Sequence, residues 1–203
     1  MGTVAAAFST VEKTDWHKEV LPIVEPAIDD MVSTYLEKMD VDGKDAYAED
    51  KRRENTLVGC IEALEKSFTA PASMSSSELQ ERLDTVLTLI QKVSAVRLRG
   101  IELSIFASLE SLFTKLDSTA AAKLEGSGLE PVAELTSKLF FQYDANAYMQ
   151  SVRLARAKAL VAFGSVQSAA LVGAVIKPDV LNAEITKEPE QTVKDTLQQI
   201  PRK

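Results

Sequence analysis

An 18-residue run without charge, from Ala159 to Ile176, constrains the fold more than any other feature of this chain. The wider stretch 145–178 contains no acidic residue. Only the interior of a helical protein or a lipid bilayer accepts so long an apolar surface. The run therefore predicts either a buried central helix or a single membrane span over residues 159–176.

The composition of the run decides between these two environments. Ala, Ser, Gly and Gln make up more than half of it, so it is only moderately apolar. Ser165, Ala169 and Gly173 recur at four-residue spacing, which is typical of closely packed helices in membranes and in protein interiors alike. Basic residues flank the run, as they do many spans. We favour the buried helix, with the membrane span as the alternative.

Helical periodicity extends over the rest of the sequence. Ser77 and Gln80 have the spacing of a capping box and predict a helix that ends near Val93. Asp144 is expected to cap a long helix that Lys177-Pro178 stops, and 186–200 is expected to form a last amphipathic helix. The pattern predicts an all-α protein, a helical bundle or α-solenoid of paired antiparallel helices, with one central apolar helix over 145–176.

Acidic residues are concentrated in the first third of the chain. Residues 1–70 contain 15 acidic and 8 basic residues, whereas residues 71–203 contain 15 of each. Pro71 and a cluster of serines in 69–76 predict a linker at this charge boundary. We expect an acidic N-terminal helical region over 1–72 and a helical-repeat region over 73–203.

No recognisable catalytic motif accompanies the chemically reactive side chains. His17 is the only histidine, and Cys60 is the only cysteine, so a Cys–His zinc site lacks ligands. The stretch 38–49 has the glycine spacing of a calcium loop, but Lys38 occupies the first ligand position. We expect no enzyme activity, no metal and no cofactor. The single cysteine permits no internal disulfide, and we expect a cytoplasmic protein.

Two charged groups are candidate partner-binding surfaces. The first is a basic cluster without a nearby acidic residue in the sequence, consisting of Arg153, Arg156 and Lys158. The second is an acidic group that consists of Asp40, Asp42, Asp45, Glu49 and Asp50. Charge complementarity predicts an acidic neighbour for the first group, and for the second either a basic protein or the exclusion of RNA.

Residues 98–200 resemble the helical repeats of PCI-domain scaffold proteins, and within them the m subunit of eukaryotic translation initiation factor 3. The resemblance rests on a Leu-rich helix at 101–116, an Asn-Ala turn at 146–147, the Val-Arg pattern at 152–161 and the Lys-Pro-x-Val end at 177–180. It implies a non-enzymatic scaffold or adaptor subunit that binds other proteins of a large complex, in the neighbourhood of the ribosome and its RNA.

Overall fold

The structure, a computed structural model, describes residues 16–37, 44–70, 73–96, 98–116, 124, 129–142, 149–167 and 169–201. A π-helical segment, Trp16–Val20, precedes the first α-helix, and a second one, Lys138–Gln142, extends the fifth. The α-helices of the described residues are α1 (Leu21–Glu37), α2 (Lys44–Ser67), α3 (Ser76–Val93), α4 (Arg99–Lys115), α5 (Leu129–Ser137), α6 (Gln150–Val166), α7 (Ala169–Val175), α8 (Pro178–Lys187) and α9 (Gln191–Gln198). The predicted all-α fold class is confirmed.

The N-cap of helix α3 lies two residues before the predicted one, Ser77. Ser75 is its N-cap, and the Ser75 hydroxyl accepts a hydrogen bond from the Glu78 backbone N–H at 3.2 Å. Ser75 and Glu78 have the same three-residue spacing as Ser77 and Gln80, so several serines of this stretch fit the sequence pattern equally well. The prediction of a capped helix is correct, and its first residue is wrong.

Eight of the nine described α-helices stack on one another in two rows. Helices α1, α3, α5 and α7 contact each other in that order and form the first row. Helices α2, α4, α6 and α9 do the same and form the second row, in which α4 and α6 make the most extensive contact. From α1 to α7 the helices alternate between the rows, and two such stacks are the arrangement of an α-solenoid.

The helices α2, α4 and α6 of the second row run parallel. Glu54 of α2 lies against the start of α4, at Gly100, and Glu65 near the end of α2 contacts Ser111 near the end of α4. The starts of α4 and α6 meet where Arg99 lies within 3.5 Å of Ser151. Their ends meet at an aromatic contact described next. Parallel neighbours in one row require each intervening helix to return in the other row.

An aromatic cluster joins the two rows. Phe113 of α4 and Phe163 of α6 pack edge to face, with ring centroids 4.8 Å apart and an interplanar angle of 72°. Phe140, from the π-helical segment after α5, lies 6.0 Å from Phe163 and 6.2 Å from Phe113. All three rings are fully buried. These aromatic contacts help to hold the rows together.

The uncharged run is not one helix. Helix α6 ends at Val166, Gln167 is in an extended conformation, and α7 begins at Ala169. The predicted single central helix over 145–176 is therefore wrong in its extent, and residues 145–148 lie outside the described part of the chain. The physical reason is the row arrangement, because α6 packs in the second row while α7 packs in the first.

The exposed side of α7 also differs from the prediction. Ala170 and Gly173 are exposed, and a Cβ placed on Gly173 would meet no atom within 4 Å. The close approach occurs instead at Gly164, whose Cβ would lie 2.9 Å from Pro201 Cδ. The evenly spaced small residues do not form one packed face. Among the described residues, no helix combines the length and the apolar character needed to cross a membrane.

The C-terminal part contains two helices where one was predicted. Helix α8, from Pro178 to Lys187, was not predicted, and α9 begins only at Gln191, inside the single helix predicted over 186–200. Pro189 lies in the break, where its ring and missing N–H oppose a continuous helix. The predicted division of the chain near residue 73 stays a prediction; helices on the two sides of it, α2 and α4, pack together.

Candidate functional site

The predicted basic cluster lies on α6, and two of its three members form ion pairs within the chain. Arg153 Nε donates to both carboxylate oxygens of Glu188, at 3.1 and 3.0 Å. Arg156 pairs with Glu184 of α8 at 2.5 Å. The Arg153 side chain is only 13% exposed and that of Glu188 only 4%. Arg153 and Arg156 thus hold α8 against α6.

Glu188 connects three helices. Its Oε1 accepts the bond from Arg153 of α6 and another from the backbone N–H of Glu190 at 3.0 Å, just before α9. Glu188 itself is the C-cap residue of α8. The carboxylates that pair with the arginines of α6 therefore come from beyond Pro178. Their distance in the sequence is the reason that the pairing was not predicted. Whether Arg153 and Arg156 also touch another protein stays a prediction.

The third basic residue, Lys158, is exposed to solvent. Arg99, at the start of α4, is exposed as well. Within the part of the chain that the structure describes, neither side chain is paired with a carboxylate. Lys158 is thus the exposed member of the predicted cluster, and its partner-binding role stays a prediction; the exposed Arg99 was not among the predicted residues.

We use the name α4–α6 face for the exposed strip along these two parallel helices. Its members are Arg99, Leu103, Ala107, Ser151, Leu154 and Lys158. They follow one another at three- or four-residue spacing on each helix, which keeps them on one side. Leu103 and Leu154 are half-buried and pack against the core. The strip therefore combines two partly buried leucines with two exposed basic side chains, those of Arg99 and Lys158.

The acidic candidate group lies mostly outside what the structure describes. Asp40 and Asp42 fall in the gap 38–43, and of Asp45 and Glu49 only the helical backbone in α2 is described. Asp50 is described, and its Oδ1 accepts a hydrogen bond from Arg53 at 3.1 Å. The partner role of this group stays a prediction.

Charge differs between the two rows. The helices of the first row contain nine acidic and two basic residues, and those of the second row contain nine acidic and eleven basic residues. Helix α1 contributes four acidic residues and no basic one. Counted over these helices, the first row is acidic and the second is slightly basic, and the acidic residues of the first third of the chain are divided between α1 in the first row and α2 in the second.

Partly buried polar contacts fix the spacing of α2 and α4 in the second row. Glu54 Oε1 accepts the backbone N–H of Gly100 at 2.6 Å, and Glu54 also receives a hydrogen bond from Lys51. Burial of Glu54 raises its pKa, but the bonds from Lys51 and Gly100 and the charge of Lys51 outweigh this, so that the pKa is lowered below the usual carboxyl value. At the other end, Glu65 accepts from Ser111 at 2.6 Å and pairs with Lys115 at 2.5 Å.

The family comparison agrees with this architecture. The profile of the family described as ECM29, C-terminal ARM-like repeats, matches residues 1–203, which is the whole sequence.

This chain belongs to the ECM29 C-terminal ARM-like repeat family.

Neither a curated protein nor a solved structure matches the chain significantly.

The ARM-like match overturns the predicted resemblance to PCI-domain proteins and to a subunit of translation initiation factor 3. That resemblance rested on the spacing of common residues in amphipathic helices. The Val-Arg pattern at 152–161 begins with two residues that have structural roles in this ARM-like chain. Val152 is buried in the core, and Arg153 forms an ion pair with Glu188. Many helical-repeat families place apolar and basic residues in this way, so the spacing does not distinguish between them.

Of the two reactive residue types, only the cysteine has a side chain within the described part of this ARM-like chain. Cys60 is buried, and desolvation raises the pKa of its thiol to about 11. A thiol needs its thiolate form to act as a nucleophile. The side chain of His17 lies outside the described atoms. No group of three or more His, Cys, Asp or Glu side chains among the described residues could hold a metal ion.

An apolar cleft lies at the edge of the repeat, between α7, α8 and Pro201. Its volume is about 160 Å³, and it is lined by Val172, Gly173, Ile176, Pro178, Leu181, Asn182 and Pro201. Asn182 is the one lining residue with a polar side chain. The cleft can accept an apolar group, but it presents no group for chemistry.

Proposed function

We propose that this chain is a non-enzymatic scaffold that binds other proteins of a larger complex through the exposed faces of its helical rows. Membership of an ARM-like repeat family supports a role in protein interaction, because stacked helical repeats present extended surfaces built from neighbouring helices.

The observation that carries this proposal is the parallel stacking of α2, α4 and α6. Each of these helices buries one side and leaves the other exposed, and the parallel course brings the exposed sides together along one row. A continuous surface of this kind fits a partner segment or helix better than it fits a small substrate, which requires a concave pocket.

The use of polar residues also supports a structural role. The carboxylates of Glu54, Glu65 and Glu188 each bond to a neighbouring helix or to the start of one. General acid–base catalysis requires a carboxylate within reach of a substrate. These three groups instead position helices. We also propose a cytoplasmic location, since the single Cys60 has no partner in this chain for a disulfide.

Affinity purification tests the proposed function. The tagged chain is expressed at its native level, purified without detergent and separated by size, and the proteins that elute with it are identified by mass spectrometry. We expect a particle well above the 22.1 kDa of this chain, with partner proteins in fixed ratio. Elution as a free monomer without partners would contradict a scaffold role.

A further inference from the structure

The α4–α6 face carries an inference that rests on the proposed function and specifies the partner. We infer that this face binds an acidic segment of another protein, with carboxylates placed to meet Arg99 and Lys158 and an apolar side chain placed on Leu103 and Leu154.

The face is positively charged because only two of the three basic residues of α6 pair with carboxylates of α8 or its C-cap. Helix α6 contains three basic residues and no acidic one. Glu184 and Glu188 approach it from α8 and pair with Arg156 and Arg153, which leaves Lys158 on the other side of the helix. Arg99 is held towards the same side by its contact with Ser151. In a chain with a net charge of -7, the face has an excess of positive charge.

The spacing of the two cations defines the segment that fits. Because Arg99 is level with Ser151 and Phe113 with Phe163, Lys158 is level with Ala107, two helical turns from Arg99. The separation along the helix axes is about 12 Å at 1.5 Å per residue. Carboxylates about four residues apart in an extended segment, at roughly 3.3 Å per residue, match this distance.

The centre of the α4–α6 face exposes apolar surface. Ala107 is exposed and small, so it leaves the half-buried Leu103 and Leu154 accessible between the two cations. An apolar side chain between two acidic ones would cover these leucines. Glu110, one turn beyond Ala107 on α4, adds a negative charge at the end of the strip and limits the acidic segment on that side.

Nucleic acid fits this face less well than an acidic protein segment does. Two cations beside a carboxylate neutralise few phosphates, whereas stable binding to a nucleic-acid backbone needs several phosphate contacts. The first row, with its excess of acidic residues, adds a field that repels a polyanion. An acidic segment of limited length avoids this repulsion because it remains within the strip.

The test uses the full chain in its native complex and a zero-length carbodiimide cross-linker, which joins a lysine amine to a carboxylate in contact with it. Cross-linked peptides are mapped by mass spectrometry, and the exposed Lys92, Lys177 and Lys187 serve as internal controls on other surfaces. In parallel, the double variant Arg99→Glu with Lys158→Glu is compared with Lys177→Glu with Lys187→Glu, which changes the net charge equally.

We expect a cross-link from Lys158 to an Asp or Glu of a partner protein. We also expect recovery of that partner to fall about tenfold or more in the α4–α6 variant and to stay unchanged in the control pair, because reversed charges on an interface repel the partner. Recovery should also fall as the salt concentration rises.

Other outcomes overturn the inference and separate it from the proposed function. If partners are recovered equally with both double variants, or cross-link only through the control lysines, this face is not the site and the scaffold role stands. A cross-link from Lys158 to α1 of a second copy would mean that the face mediates self-association. Loss of partner recovery after nuclease treatment would mean that the face binds nucleic acid. Absence of any partner from the unmodified chain overturns the proposed function and this inference together.

Discussion

The carboxylate of Glu54, on α2, accepts the backbone N–H of Gly100 at the start of α4 at a distance of 2.6 Å. The N-cap residue of α4, Leu98, has no side chain that can accept this bond. Glu54, 46 positions earlier in the sequence, therefore accepts the backbone N–H that a local Ser or Asp at the N-cap accepts in most helices. The bond also fixes the register between two neighbouring helices of the second row.

Replacement of Gly100 tests this relationship. A Cβ at Gly100 would lie 2.8 Å from Glu54 Cδ, so the carboxylate must move and lose its bond. We expect Gly100→Ala to lower the free energy of unfolding by about 1 kcal/mol, since a lost charge-assisted hydrogen bond outweighs the gain in helix propensity. Chemical denaturation measures the change.

Gly59 of α2 provides the matched control. A Cβ at Gly59 meets no atom within 4 Å. Gly59→Ala should therefore raise the free energy of unfolding by roughly 0.5–1 kcal/mol, the usual gain for alanine in a helix interior. Equal effects of the two substitutions would show that the Glu54 contact does not form.

The same contact predicts a dependence on pH. Glu54 has a lowered pKa in the folded chain, so its stabilising contribution is complete above the unfolded carboxyl pKa and is lost as the pH falls through the folded one. The difference in unfolding free energy between the wild type and Glu54→Gln should accordingly be greatest near neutral pH and diminish in acid. Denaturant titrations over the acidic range measure it, and a difference that grows towards low pH would be inconsistent with this cause.

The pairing of Glu188 with Arg153 should matter more for stability than surface ion pairs do. Both side chains are largely buried, and Glu188 also accepts a bond from Glu190 N–H. Glu188→Ala leaves the Arg153 charge without its partner carboxylate and should cost about 3 kcal/mol. The exposed pair of Glu62 and Lys66 is the comparison, and Glu62→Ala should change stability by no more than about 0.5 kcal/mol. Thermal unfolding of both variants distinguishes the two environments.

Aspartate substitutions at a buried alanine just before the uncharged run and at an exposed alanine within it should differ sharply in their effect on stability. Ala157, just before the run, is fully buried, and Asp at this position would place a charge in the core at a cost of several kcal/mol. Ala170 is exposed in the first turn of α7, where Asp should change stability by no more than about 0.5 kcal/mol. Circular dichroism melting curves of Ala157→Asp and Ala170→Asp provide the comparison. A severe loss of stability in Ala170→Asp would mean that Ala170 is buried, as expected for a single central helix.

The sequence predicted helices well because their signals are local. The apolar spacing of α3 and α4 and the stop at Lys177-Pro178 depend on neighbouring residues, and these elements lie where they were expected. The break at Gln167 has no such local signal. It depends on α6 and α7 packing in different rows, which is a property of the whole fold.

The candidate site was predictable only in part for the same reason. Lys158 is exposed, as a basic residue on a helix suggests, but the ion pairs of Arg153 and Arg156 depend on Glu184 and Glu188, which lie 28 and 35 residues away in sequence. Arg99 belongs to the face because α4 and α6 are parallel neighbours. Such long-range contacts cannot be inferred from the spacing of residues along one helix.

The parallel course of α4 and α6 is the central structural claim, because the shared face of the second row depends on it. Spin labels at exposed positions measure it directly by electron double resonance, with cysteine introduced as Thr114→Cys in combination with either Ser165→Cys or Ser151→Cys. The native Cys60 is buried, and the raised pKa of its thiol disfavours labelling. We expect 114 and 165 to be close neighbours, and 114 and 151 to be farther apart by about 15 Å or more, since some 15 residues at 1.5 Å each separate their levels. The reverse order of the two distances would mean antiparallel helices and would contradict the two-row arrangement.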